Sequence, residues 1–318
     1  MHNSIKLKTL CPECRNGSIV FEGQRCTCWA CGVSFPVSDG RPVLIRHSNQ
    51  VFPPESYVNG SRRGETSSKW TKYCPARSVN LSRTEKLCEF VNIVKNHDAA
   101  FVLIIGAGRQ QTTLDQIFSR APNVILVYSD IDADAPVDCI CDGHDIPFDA
   151  NTFQGVIATA VLEHVLYPER VVSEIHRVLA PGGIVYSEIP FMQQVHEGAY
   201  DFKRYTLSGH RHLFRSFREL SSGVVAGPGT ALVWAIENII LCFAVGSLSR
   251  NILKAGTRFI FSWIKYFDYI FKNHPQAIDG ASCTYFLGQK ESGYGVSDIS
   301  IIREYNGAQR HHRGGNGL

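Results

Sequence analysis

The sequence predicts an α/β protein: a doubly wound parallel sheet preceded by a small metal ribbon and carrying a helical insertion near its carboxyl end. Three observations lead there. From residue 99 onward, apolar strand-like runs alternate with segments of helical periodicity, the order that lays helices on both faces of a parallel sheet. Two C-x-x-C pairs, Cys11–Cys14 and Cys28–Cys31, stand thirteen residues apart in a turn-rich start. A long apolar stretch, 229–273, separates the last two strand candidates.

Taken in order, residues 1–45 form the ribbon. Zinc takes four soft ligands in a tetrahedron, and each C-x-x-C turn presents two thiolates to one ion, so Cys11, Cys14, Cys28 and Cys31 are the expected ligands. Gly32 suits the tight second knuckle. Cys26 is an alternative to Cys28. Four thiolates leave no open position for water, which makes the expected zinc structural rather than catalytic. The stretch Cys28-x-x-Cys31-Gly32, with Phe35-Pro36-Val37 and Gly40-Arg41-Pro42-Val43-Leu44, resembles the small zinc-ribbon proteins of the tRNA-methyltransferase activator type.

Residues 46–98 read as a linker, with Pro53-Pro54 and Gly60-Ser61-Arg62-Arg63-Gly64, ending in a helix over Ser82–Lys95 whose Leu87, Phe90, Val91 and Val94 share one face. Strands are expected at 101–105, 124–129, 155–159 and 183–188, and helices near 111–119 and 168–179. Pro181-Gly182-Gly183 is expected to stop the second of these helices and turn the chain. Later strands fall near 219–226 and at Thr284–Gln289. The sheet domain thus spans 99–228 plus 282–304, with a helical cap, 229–281, inserted. The tail Arg310-His311-His312-Arg313-Gly314-Gly315 reads as disordered.

Composition sets the bounds. With 318 residues, 44% hydrophobic and 19% charged, the chain can bury a substantial core. A net charge of +3 argues against nucleic acid as a partner. The start, residues 1–8, lacks an apolar core, and cysteine clustering favours metal over disulfides. The expected location is cytoplasmic, with peripheral contact at the inner membrane face.

The chemistry concentrates between Phe101 and Glu188. The apolar run Phe101–Ile105 enters a glycine turn, Gly106-Ala107-Gly108. Asp130 follows about twenty residues on, then Asp142-Gly143-His144-Asp145-Ile146-Pro147-Phe148, Val161-Leu162-Glu163-His164-Val165, and Arg177-Val178-Leu179-Ala180-Pro181-Gly182-Gly183. Over residues 101–226 this order resembles the class I S-adenosylmethionine-dependent methyltransferases, with their Rossmann-like sheet. The resemblance implies that Gly106 and Gly108 contact the methionine end of the cofactor, that Asp130 binds the ribose, and that Asp142 approaches the adenine amino group. Ile146 and Ala160 complete the implied cofactor set. The family's third glycine is replaced by Gln110, and Asp132 and Asp134 compete with Asp130. A dinucleotide fingerprint is disfavoured because Gln111 stands where helix packing needs a small residue.

Methyl transfer from a sulfonium is an in-line displacement, so the protein mainly positions the acceptor and takes its proton. The loop 189–206 follows a strand end and is dense in polar groups. His196 is the expected base and Asp201 its orienting partner, with Arg204 and Tyr205 as substrate-binding candidates. His164 and His144 are poorer candidates, and Lys203, Arg211 and Arg215 read as a solvated face. In the insertion, Glu237 and Asn238 interrupt the apolar run and argue against a span. A helical cap, a homodimer face and an interfacial membrane contact are the readings that remain. The segments Gly227-Pro228-Gly229 and Asp279–Gly288 look like bacterial methyltransferases of polysaccharide or secondary-metabolite pathways. The leading expectation is therefore O- or N-methylation of a small molecule, sugar or lipid-linked glycan. Alternatives are an RNA methyltransferase using the ribbon for recognition, and a non-catalytic S-adenosylmethionine-binding partner protein.

Overall fold

The computed structural model describes residues 9–23, 25–57, 74–109 and 111–309. Gln110, the Gly60–Gly64 segment and the tail from Arg310 lie outside the described residues. The centre of the molecule is a parallel block of strands: β5 (Ala100–Ile105), β6 (Val124–Asp130), β7 (Cys139–Cys141), β8 (Phe153–Thr159) and β9 (Leu179–Pro190). These pair in the order β7-β6-β5-β8-β9, and β11 (Cys283–Gln289) then runs antiparallel between β9 and β10 (Arg218–Ala226). The chain winds outward in both directions from the β5–β8 pair. The carboxyl ends of those two strands therefore open a crevice, where open α/β sheets bind ligands.

Helices cover both faces because each carries an apolar stripe. On one face, α1 (Arg83–Val94) and α2 (Thr112–Phe118) bury Leu87, Phe90, Val91, Val94 and Phe118 against Val102, Ile104, Ile157 and Tyr186. On the other, α3 (Pro168–Val178) and α4 (Leu207–Leu213) set Val171, Val172, Ile175, Val178 and Leu213 against Leu103, Val156 and Val185. Gly155 is required beneath α1, since an added Cβ would stand 2.5 Å from the Phe90 ring.

Four differences from expectation stand out. The ribbon strands β1 (Ile19–Glu22), β2 (Arg25–Cys28), β3 (Ser34–Ser38) and β4 (Arg41–Leu44) are antiparallel neighbours, but β4 also pairs in parallel with β7. The ribbon thus extends the main sheet. Residues 46–57, expected as linker, pack against it: Tyr57 is buried, Phe52 lies against the same cluster, and Tyr57 Oη donates to the Ile131 carbonyl at 2.9 Å. Strand β9 begins at Leu179, so Pro181-Gly182-Gly183 opens a strand instead of separating it from the helix. Proline is tolerated at a strand's start, and Gly182 takes a positive φ of 78° there. Arg211, expected on a solvated face, pairs with Glu219 at 2.6 Å and with Glu304.

The insertion is helical: α5 (Pro228–Leu241), α6 (Ser247–Phe261), a 3-10 turn, α7 (Phe267–Phe271) and α8 (Pro275–Asp279). Asp268 of α7 is buried and accepts from the N–H groups of Gly227, Gly229 and Thr230 at 3.0, 2.6 and 3.0 Å, closing the exposed start of α5. Glu237 is held by Arg77 at 3.1 Å and Arg258 at 2.9 Å. Its charge is satisfied within the protein. The opposite face, with Ile239, Phe243, Leu248, Ile252, Phe259, Ile260 and Trp263, is exposed. No helix among the described residues is long and apolar enough to cross a membrane.

Candidate active site

The glycine turn closes β5. Gly106 and Gly108 have φ of 64° and 62°, a left-handed region that other residues enter only with strain. A Cβ on Gly106 would fall 2.3 Å from Val161 Cγ2, whereas one on Gly108 would meet nothing within 4 Å. The first glycine therefore permits close packing, and the second leaves backbone facing open space. Asp130, at the end of β6, accepts from Gly108 N at 2.7 Å and Asp132 N at 2.8 Å. Burial raises its pKa against those bonds. Asp132 and Asp134 are occupied by Arg109, each at 3.0 Å, so the acid fastened to the turn is Asp130.

Asp142 forms the next wall. Its carboxylate accepts from His144 N at 2.9 Å, lies 2.6 Å from His144 Nδ1, and accepts from Asn49 Nδ2 at 2.7 Å. Burial alone would raise its pKa; these partners, His144 foremost, lower it. His144 Nε2 accepts from Tyr167 N at 3.2 Å, which commits both ring nitrogens. Ala160 is exposed at the end of β8 with φ of 54°, and such left-handed residues cluster at functional clefts. Ile146 differs. It is buried in the apolar core, with its N–H on Glu174 at 2.9 Å, so its side chain does not line the cleft.

In the loop after β9, His196 N donates to Asp201 Oδ2 at 3.0 Å, and His196 Nδ1 lies 3.4 Å from the same oxygen. Asp201 is also clamped by both guanidinium ends of Arg204. Burial would raise its pKa, but Arg204 and the His196 N–H bring it to about 2. Asp201 is therefore a fixed anion, suited to orienting His196 and not to taking a proton. Arg204 is equally committed, donating to the carbonyls of Gln193, Lys203 and Gln194 as well. Tyr205 is half-buried against the core. Of the two expected substrate-binding residues, Arg204 has its guanidinium committed to the loop itself.

Glu163 was not a candidate in the sequence. It is fully buried, and among the described residues neither of its oxygens has a hydrogen-bond partner. Burial pushes its carboxyl up to about 8. Its neighbours are His164 Nε2 at 3.5 Å and His196 Nε2 at 3.9 Å, with the two rings edge to face at 4.9 Å. The backbone carbonyl of Glu163 accepts from Phe202 N and Lys203 N, tying the loop to the β8 end. Trp234 of α5 meets the His196 ring at 5.9 Å. Only the apolar pattern Val161-Leu162 before Glu163 hinted that this acid turns inward.

The ribbon gathers its four thiols. Cys11 and Cys31 Sγ are 3.8 Å apart, Cys14 and Cys28 3.7 Å, and all four lie within 4.8 Å of one another. A tetrahedron with Zn–S bonds near 2.3 Å has edges of roughly 3.8 Å, so the donor set fits that ion. Cys26 points elsewhere, donating to the Phe35 carbonyl at 3.6 Å, with burial raising its pKa to about 12. From the knuckle, Arg15 reaches Asp145 at 2.6 Å and Glu174 at 3.0 Å, and Arg46 adds a third contact to Asp145 at 2.9 Å.

Comparison with known proteins adds a domain match. Residues 60–187 match the family described as a methyltransferase domain. No curated protein matches the chain. Among solved structures, the cyclase SpnF is 16% identical with a TM-score of 0.39, over 66% of this chain and 81% of its own. Phosphoethanolamine N-methyltransferase 2 of Haemonchus contortus, in complex with S-adenosyl-L-methionine, is 14% identical with a TM-score of 0.43, over 65% and 52%. Coclaurine N-methyltransferase, bound to N-methylheliamine and S-adenosylhomocysteine, is 12% identical with a TM-score of 0.42, over 65% and 72%. Similarity at this level says nothing of the acceptor. The domain match over residues 60–187, the sheet order and the glycine turn bound by Asp130 agree: the chain carries a methyltransferase domain and is an S-adenosylmethionine-dependent methyltransferase.

Proposed function

We propose that the enzyme methylates an oxygen or nitrogen of a small molecule, sugar or lipid-linked glycan, and that a lipid-linked glycan fits best. The observation that carries this reading is Trp234, whose outer neighbours on α5 belong to the exposed apolar face and whose ring edges His196. A polar head placed at His196 thus lies against the buried side of the helix whose other side offers an apolar surface to a lipid. That face would rest on the membrane interface presenting the acceptor.

Gly106, Gly108, Asp130, Asp142 and Ala160 hold the donor, which supplies an electrophilic methyl group. His196, steadied by Asp201, takes the acceptor's proton. The four ribbon cysteines hold a structural zinc that braces Arg15 against the Asp142–Phe148 segment.

The test offers purified enzyme S-adenosylmethionine with lipid-linked sugars in liposomes, or the same sugars free, and follows S-adenosylhomocysteine release. Faster release with the lipid-linked form, together with flotation of the protein with the liposomes, is expected. Turnover on free sugars alone, with a protein that never floats, removes the lipid-linked reading. No binding of S-adenosylmethionine in calorimetry removes the donor assignment itself.

A further inference from the structure

The cluster of Glu163, His164 and His196 has a property that hydrogen bonding leaves unexplained. A buried carboxylate without a partner is costly, and this one keeps both oxygens unbonded among the described residues. Yet two imidazoles stand beside it. His164 Nδ1 lies 2.9 Å from the Tyr200 carbonyl, which can only accept, so Nδ1 carries the hydrogen and Nε2 keeps its lone pair. His196 repeats the pattern, with Nδ1 3.3 Å from the Gln194 carbonyl and 3.4 Å from Asp201. Both Nε2 lone pairs thus converge on Glu163 Oε1, at 3.5 and 3.9 Å, and once the carboxyl has given up its proton only acceptors face one another. Histidines that bind metals are set up in this way, with the distal nitrogen anchored on a carbonyl or carboxylate.

The geometry points to a second metal centre: Glu163, His164 and His196 hold a divalent transition-metal ion of the zinc kind, leaving coordination positions open on the cleft side. The three donor atoms lie within 4.8 Å of one another. With metal–ligand bonds near 2.1 Å, tetrahedral donors sit roughly 3.4 Å apart; Glu163 Oε1 already stands 3.5 and 3.9 Å from the two imidazole nitrogens, so closing the site on an ion draws the side chains inward by rotamer adjustment. Two imidazoles and one carboxylate suit zinc and its neighbours better than magnesium or calcium, which prefer all-oxygen shells. Three protein ligands are the number found where a metal keeps an open position, in contrast to the closed four-thiolate ribbon. The inference does not depend on which acceptor is used, but it shares His196 with the reading above and replaces the free imidazole base proposed there. In the loaded protein His196 Nε2 is a ligand, and the cation would lower the pKa of an acceptor hydroxyl bound at an open position, whose proton then passes to water.

The full-length protein is equilibrated with zinc, freed of loose metal, and its zinc measured by atomic emission beside the near-isosteric Glu163→Gln and a His164→Gln/His196→Gln double variant. The wild type is expected to carry one more zinc per chain than either variant, whatever the ribbon holds, with magnesium failing to displace it. Equal zinc in all three proteins overturns the site. Cobalt(II) titration of the wild type gives a readout should a variant misfold. Thiolate charge-transfer bands report the ribbon, and a weaker visible spectrum without them reports nitrogen and oxygen ligands. Saturation with the thiolate bands alone overturns the proposal. Binding of S-adenosylhomocysteine, measured separately, separates loss of this metal from loss of the donor site.

Discussion

At the scale of single residues, the donor site depends on a carboxylate that holds backbone. Asp130 fastens the glycine turn through Gly108 N, and a hydrogen bond to a charged group contributes about 1.5–3 kcal/mol. Asp130→Asn should therefore weaken S-adenosylhomocysteine binding by at least about tenfold. An unchanged Kd in calorimetry would discard the assignment. His210 governs a different property. It is fully buried between Thr284 Oγ1 at 3.0 Å and Ser187 Oγ at 3.2 Å, and burial pushes its pKa from 6.5 down to about 3. Between those values the unfolded chain binds a proton that the folded chain refuses. Stability therefore rises with pH across that window and is lost as pH falls, by at most about 1.4 kcal/mol per pH unit from this group. Denaturant titrations at pH 5 and pH 7 should show a smaller difference for His210→Gln than for the wild type. The sequence made Asp130 legible because its spacing from the glycine turn is informative. His210 and Glu163 were not, since their behaviour comes from neighbours far along the chain.

At the scale of elements, α5 begins at Gly227-Pro228, where no side chain of its own caps the free N–H groups. Asp268, forty residues later, does so. Asp268→Ala should cost about 2–4 kcal/mol, since three donors lose their acceptor in a buried place, and Asp268→Asn should cost less. Denaturant unfolding measures both, and equal stability of Asp268→Ala and wild type would refute the capping role. Strands β5, β6, β8 and β11 were legible because buried parallel or central strands read as apolar runs. The three-residue β7, with Pro136 just before it, was too short to show. The pairing of β4 with it joins residues almost a hundred positions apart, which no local pattern records. The start of β9 was misplaced because Pro181-Gly182-Gly183 carries the same signal at a helix end and at the opening of a strand.

At the scale of the whole molecule, ribbon and sheet form one body through two kinds of contact. One is the β4–β7 ladder, and the other is the charge cluster in which Arg15, Arg46 and Arg170 converge on Asp145. Fold class and the metal knuckles were legible in the sequence, since both repeat at fixed spacing. The union between them was not, because Arg15 and Asp145 are brought together only by folding. On the proposal that the four thiols hold zinc, a strong chelator should lower Tm, and Cys14→Ser should do so without chelator; thermal unfolding followed by circular dichroism checks both. The route from Cys14 through Arg15 to Asp145 ends three residues from Asp142, in the wall expected to face adenine. Two ligands that bind the same rigid body through a shared strut cannot be independent. By reciprocity, whatever factor metal loss takes from the affinity for S-adenosylhomocysteine, saturation with S-adenosylhomocysteine must return to the ribbon as tighter binding of its ion. The ribbon then reports on donor occupancy, and a colorimetric chelator becomes an assay for the cofactor.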